Sequence, residues 1–176
     1  MLIAHLPAGF LLTYGFIQRQ KRVGSQPIST KKITALWIAG LLFSVLPDFD
    51  MLYFTFVDSR YHHHLLFPHL PIFWLGLLPL LYALTLHPTL RAMRSFVHLL
   101  SLNIALHLIL DTWAGDIWWL YPWSTDPIAL ITVPATQSHW VWSFMLHWSF
   151  IPELFIVAAA LALLIKQRKN NAAKKQ

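Results

Sequence analysis

The residues that could do chemistry in this chain are its histidines and aspartates. Ten His occur in 176 residues, with no Cys. They fall at a few places. His5 lies near the start, and Asp48 and Asp50 sit in the run Leu46-Pro47-Asp48-Phe49-Asp50. A loop from Arg60 to Pro71 supplies His62, His63, His64 and His69. His107 and Asp111 follow, and His139 comes later. A His at i and an Asp at i+4 share one face of a helix, so His107 and Asp111 can hold the same ion. Imidazole nitrogen and carboxylate oxygen, without sulfur, suit Zn²⁺ and related divalent ions. The expected ligands are His5, Asp48, Asp50, His64, His69, His107 and Asp111. Four separated stretches meeting at one depth is what a polynuclear hydrolytic site requires. His62 and His63 precede His64 in that loop, with Arg60 the basic residue beside them. Each piece also has a plainer reading. The aspartates can cap helix ends, a single His can be a hydrogen-bonded core residue, and His107 with Asp111 can be a structural pair beside Asn103.

The elements that must position these residues are apolar. By composition 57% of the chain is apolar and 11% charged, against about 45–50% and about 25% in an ordinary globular domain. With 9 Trp, 12 Phe and 5 Tyr, this composition excludes a disordered chain and points to one solvated partly by lipid. Apolar stretches cover residues 2–17, 33–57, 65–86, 95–110 and 140–165. The third and fifth have the ~20 residues that cross ~30 Å of hydrocarbon. The first and fourth are short, and the second is interrupted at Pro47. Between 117 and 134 lies an irregular segment dense in Trp, Tyr and Pro, suited to the membrane–water interface. The expected fold is therefore all-α: a multi-pass transmembrane bundle of about five helices plus that interfacial segment. Residues 1–165 form one membrane domain and 166–176 a basic, frayed cytoplasmic tail.

Charge placement sets the expected orientation. Arg19, Lys21, Arg22, Lys31 and Lys32 lie between the first two stretches, Arg91 and Arg94 between the third and fourth, and Lys166, Arg168, Lys169, Lys174 and Lys175 after the fifth. If five helices cross, all twelve fall on one side, and the positive-inside rule makes it cytoplasmic. The basic cluster follows the first apolar run rather than preceding it, which favours an uncleaved span over a signal peptide. The N-terminus is then outside and the C-terminus inside. The outer side holds Arg60 against six Asp, and Glu153 lies within the fifth stretch, so the net +6 is a sum over two opposite faces. It does not indicate nucleic acid. Lipid is the expected partner.

Several motifs carry a family resemblance. His5-Leu6-Pro7-Ala8-Gly9, then Leu46 to Asp50, then His64 and His69 five apart, then His107-Leu-Ile-Leu-Asp111 and Gly115 to Pro122, resemble the membrane-bound metal-dependent hydrolases. That family is also described as LexA-binding, inner-membrane-associated hydrolases. The motifs cover residues 5 to 123. In the family the first His of the pair is commonly followed by Arg-Gly, and the second is flanked by Thr and Ser. Here the interior is Leu65-Leu66-Phe67-Pro68, with Leu70 after, so a phosphate-binding role of those residues does not carry over. The family is more distantly similar to the zinc-dependent phospholipase C and nuclease superfamily, helical proteins whose His and Asp ligands hold zinc ions. The resemblance implies phosphoester hydrolysis, for which His62 or His63 is the expected general acid to the leaving oxygen and Arg60 the expected holder of phosphate charge. Composition and spacing alone imply metal binding.

The leading expectation is a membrane-embedded hydrolase with a divalent metal, zinc foremost, acting on a phosphoester of a lipid or lipid-linked substrate at the outer face. The rival is a non-enzymatic membrane protein: a metal or proton pathway, or a regulatory partner. A pathway wants polar residues through the whole span, whereas here the carboxylates stay on the outer side, Glu153 apart. Bis-His haem is disfavoured by carboxylates one turn from the histidines. Glu153 itself can pair with His147 or a backbone group, or reach the site.

Overall fold

A computed structural model describes residues 1, 3–24, 27–57 and 63–173. Helix α1 (His5–Val23) is followed by α2 (Thr30–Ser44), whose Ser29 hydroxyl caps its first turn by accepting from the Lys32 amide. Pro47 lacks the amide that would continue α2. The chain turns through a single 3₁₀ turn at Pro47–Phe49 and resumes as α3 (Asp50–Phe56), bent by 58° from α2. Two further 3₁₀ turns, His63–Leu65 and Phe67–His69, lead to α4 (Pro71–Leu84). A 3₁₀ stretch at Pro88–Met93 enters α5 (Arg94–Thr112). The segment from Trp113 to His139 is irregular, with one antiparallel bridge between Ile117 and Ile128. It ends at the short α6 (Trp140–Met145), and α7 (Ile151–Ala173) closes the bundle.

All of the described secondary structure is helical apart from that bridge, as the composition predicts. Helices α1, α4 and α7 begin at the end of the bundle where α2 and α5 finish, so five helices alternate in direction. Fewer than five have the dimensions of a span. Among the described residues, Pro88–Thr112 and Trp148–Asn170 are long and apolar enough to cross a membrane, and α2 with α3 adds a third if the bent pair counts as one. The expected five is corrected for two physical reasons. The last turns of α1 carry Arg19, Lys21 and Arg22. Helix α4 has 14 residues, about 21 Å at 1.5 Å per residue, short of ~30 Å of hydrocarbon. Helix α7 continues through Lys166, Arg168 and Lys169 to Ala173 because Lys, Arg, Gln and Ala are good helix formers.

Two apolar clusters hold the helices together. Phe16, Ile17, Leu36 and Leu99 pack α1, α2 and α5, and Trp74, Leu100, Ile104 and Leu108 pack α4 on α5. Helices α1 and α2 approach closely because glycine faces a small polar residue twice. A Cβ on Gly9 would lie 2.2 Å from the Ser44 Cβ, and one on Gly40 would lie 2.1 Å from the Thr13 hydroxyl. The first contact brings the C-terminus of α2 against α1 and α5, beside the histidines.

Candidate metal centre

Four elements deliver side chains to one buried point. His5 comes from the first residue of α1, Asp48 from the turn after α2, His69 from the turn before α4, and His107 and Asp111 from the last turns of α5. The Asp111 carboxylate is the centre. Its Oδ1 is 2.9 Å from His5 Nε2, and its Oδ2 is 3.0 Å from His107 Nε2 and 3.4 Å from His69 Nε2. The Met1 amino nitrogen also contacts Oδ1. His5 and His107 stack face to face with ring centroids 3.8 Å apart, so their Nε2 atoms meet the two oxygens of one carboxylate. Asp48 Oδ1 stands 3.5 Å from His107 Nε2 and 3.9 Å from His69 Nε2.

The far nitrogens are fixed by other groups. His107 Nδ1 donates to the Ser44 carbonyl at 2.8 Å, and His64 Nδ1 donates to the Asp116 carbonyl at 2.9 Å. In each ring this leaves Nε2 with its lone pair facing inward, the tautomer a metal ligand needs. Asp50 Oδ2 lies 2.5 Å from His69 Nδ1. Asp50, expected as a ligand, stands behind the His69 ring, where it orients the ring and raises its basicity. His69 lies ahead of α4, outside the candidate spans. Burial pulls its pKa down, but the Asp111 and Asp50 carboxylates against it outweigh burial and raise it to about 9.

The donors form two sets. His5, Asp48, His107 and Asp111 can offer one atom each, all within 4.8 Å of one another, and so can His64, His69 and Asp111. Asp111 belongs to both sets, so two cation positions would share its carboxylate. Except for half-buried Asp48, every member is buried. Nitrogen and carboxylate donors, inward lone pairs and a buried His5 Nδ1 without a hydrogen-bond partner among the described residues suit a divalent ion better than a purely structural polar core.

The chain belongs to the YdjM inner membrane protein family. The sequence model of that family matches residues 1–173, nearly the whole chain, and so includes every donor described above. No curated protein and no solved structure matches the chain. Membership and the apolar helices together make this an inner membrane protein.

Arg60 and His62 lie outside the described residues, and His63 opens the turn before His64. His139 and His147 cap short helical turns, accepting from the Val141 and Ser149 amides. His87 bonds the Thr89 hydroxyl and His98 stacks on Tyr82, both away from the centre. Ala129, Ile131, Thr132 and Val133 line a cavity of about 480 Å³ beside His64, together with Met51, Phe54, Asp116 and Trp140. Three contributors have no side-chain signature in the sequence. The Ser44 and Asp116 carbonyls act through the backbone. Gly115 admits the His64 ring, whose Cε1 would lie 3.2 Å from an added Cβ. Only Gly115 was visible beforehand, as part of the motif after Asp111.

Proposed function

We propose that this inner membrane protein is a metal-dependent hydrolase that cleaves a phosphoester of a lipid or lipid-linked substrate at the non-cytoplasmic face. The observation that carries the reading is the shared Asp111 carboxylate, with a set of His and Asp donors on either side and a cavity beside His64. Divalent ions held there supply Lewis acidity, activating water near neutral pH and polarising a phosphoryl oxygen. The chain's own part is to hold the donors. Asp50 and the Ser44 and Asp116 carbonyls orient three imidazoles, and the surrounding burial keeps bulk water from competing. Zinc is the proposed metal, from the donor chemistry. His62 or His63 is proposed as general acid and Arg60 as the phosphate-holding cation. The N-outside, C-inside orientation is proposed from the twelve basic residues on alternate loops. The resemblance to membrane-bound metal-dependent hydrolases supports the same chemistry.

A conduit for metal or protons is less well supported. One turn inward from Thr13 and Asn103 the bundle interior passes to Phe16, Ile17, Leu36 and Leu99, which are at most 8% exposed. Elemental analysis of protein purified in mild detergent tests the metal, and hydrolysis of phosphodiester lipids in mixed micelles tests the chemistry. The reading expects bound divalent metal and turnover that H107A abolishes. Metal-free protein after mild preparation, or turnover that persists in H107A, overturns it.

A further inference from the structure

Glu153 is the one acid on α7, and it is fully buried, 0% exposed. A carboxylate at that depth in an apolar helix is costly unless a specific partner holds it. Its Oε2 accepts from the Ile3 amide at 2.6 Å and from the Ala4 amide at 2.9 Å. Those are the amides at the entry to α1. Ala4 is the N-cap of that helix and has no side chain to cap it. The first amides of a helix have no partners within it, and a carboxylate there also meets the positive end of the helix dipole. Glu153 therefore does from α7 what Ala4 cannot do locally.

The residue after Ala4 is His5. The other three histidines of the centre have Nδ1 held by Asp50 or by a backbone carbonyl, whereas His5 Nδ1 is buried with no such partner among the described residues. The direction of the His5 ring is thus set by its backbone, by stacking on His107 and by the Asp111 carboxylate at its Nε2, with nothing behind it at Nδ1 among the described residues. We infer that Glu153 is a positioning residue for His5: by clamping the Ile3 and Ala4 amides it fixes the start of α1, and with it the fourth donor of the set His5, Asp48, His107 and Asp111. This inference rests on the metal-centre reading. It gives α7, which supplies no ligand, a part in the site.

Co²⁺ binding to detergent-purified full chain, read by competition and by the d–d absorption band, tests it in three variants. In E153A, and in E153D, which keeps the charge but withdraws the oxygen by one methylene, affinity at the His5-containing position should fall about 10- to 100-fold, as for other groups behind a ligand. E153Q keeps an acceptor oxygen and should stay within about fivefold of the wild type. In an H5A background E153D should cause no further loss, because the ligand it positions is gone. E153D guards against a trivial result, since it keeps the buried charge and its melting temperature reports folding directly. Wild-type Co²⁺ affinity in a well-folded E153D, or losses from H5A and E153D that simply multiply, would show that Glu153 only clamps the fold and would overturn the inference. Wild-type protein that binds no Co²⁺ overturns the centre itself, an outcome distinct from either.

Discussion

The same three helices, α1, α2 and α5, build two unlike regions. At one end His5, His107 and the Ser44 carbonyl gather around the Asp111 carboxylate, and at the other Phe16, Ile17, Leu36 and Leu99 pack as an apolar cluster. Between them Thr13 and Asn103 mark the change. In the apolar region shape alone matters, so substitution there costs packing. In the polar region His64, His69 and His107 each have a second group behind the ring, and the geometry of that group matters as much as the ring's own. The contrast teaches that the apolar packing and the candidate metal donors are lodged in different parts of one bundle, joined where α1 and α2 touch.

The sharpest way to break the polar region is D111N. It keeps the side-chain volume but removes the charge common to both donor sets, so metal content should fall to background and affinity by more than about 100-fold at each position. Loss at one position alone would show that the carboxylate is not shared. Next in size is L99A, in the apolar region. Leu99 is fully buried, and its truncation should cost about 2–5 kcal/mol while leaving metal affinity within about twofold. Thermal melting and metal titration of the same samples give both numbers, and a large drop in affinity would mean the regions are coupled.

G9A tests the junction. Its Cβ would meet the Ser44 Cβ at 2.2 Å and Oγ at 2.4 Å, so the helices must part, at a cost of about 1–3 kcal/mol. Because the Ser44 carbonyl orients His107, metal affinity should fall too, which distinguishes G9A from L99A. The smallest effect is one of pH. His69 has its pKa raised from 6.5 to about 9, so its contribution to the stability of metal-free protein is fully present below pH 6.5 and is lost as pH rises through about 9. A divalent ion displaces that proton, so metal-loaded protein should hold its melting temperature over the same interval while releasing protons on binding. Parallel pH curves for the two forms would count against His69 as a ligand.

Much of the site was legible before any geometry. The His and Asp residues that meet are those singled out by type and by place at the helix ends, because ionisable groups are expensive inside an apolar bundle and are kept where they can be satisfied. The number of spans was overread. Apolar stretches mark burial, and burial against other helices looks the same in sequence as burial in lipid, so α1 and α4 read as spans without having the composition or length of one. Asp50 and Glu153 show the other limit. Both are acids near histidines in the sequence, yet one stands behind His69 and the other holds the amides before His5.

From the sequence alone came the donor chemistry, the all-helical class, the turn at Pro47 and the separation of basic from acidic loops. These follow from residue types and local periodicity, which need no knowledge of distant contacts. That Asp50 stands behind His69 and that Glu153 holds the amides before His5 came from the packing of the helices. Asp50 and His69 are 19 residues apart, and Ala4 and Glu153 are 149 apart. Spacings of that kind are bridged only by how Gly9 lets α1 settle on α2, and by where α7 docks on the first turn.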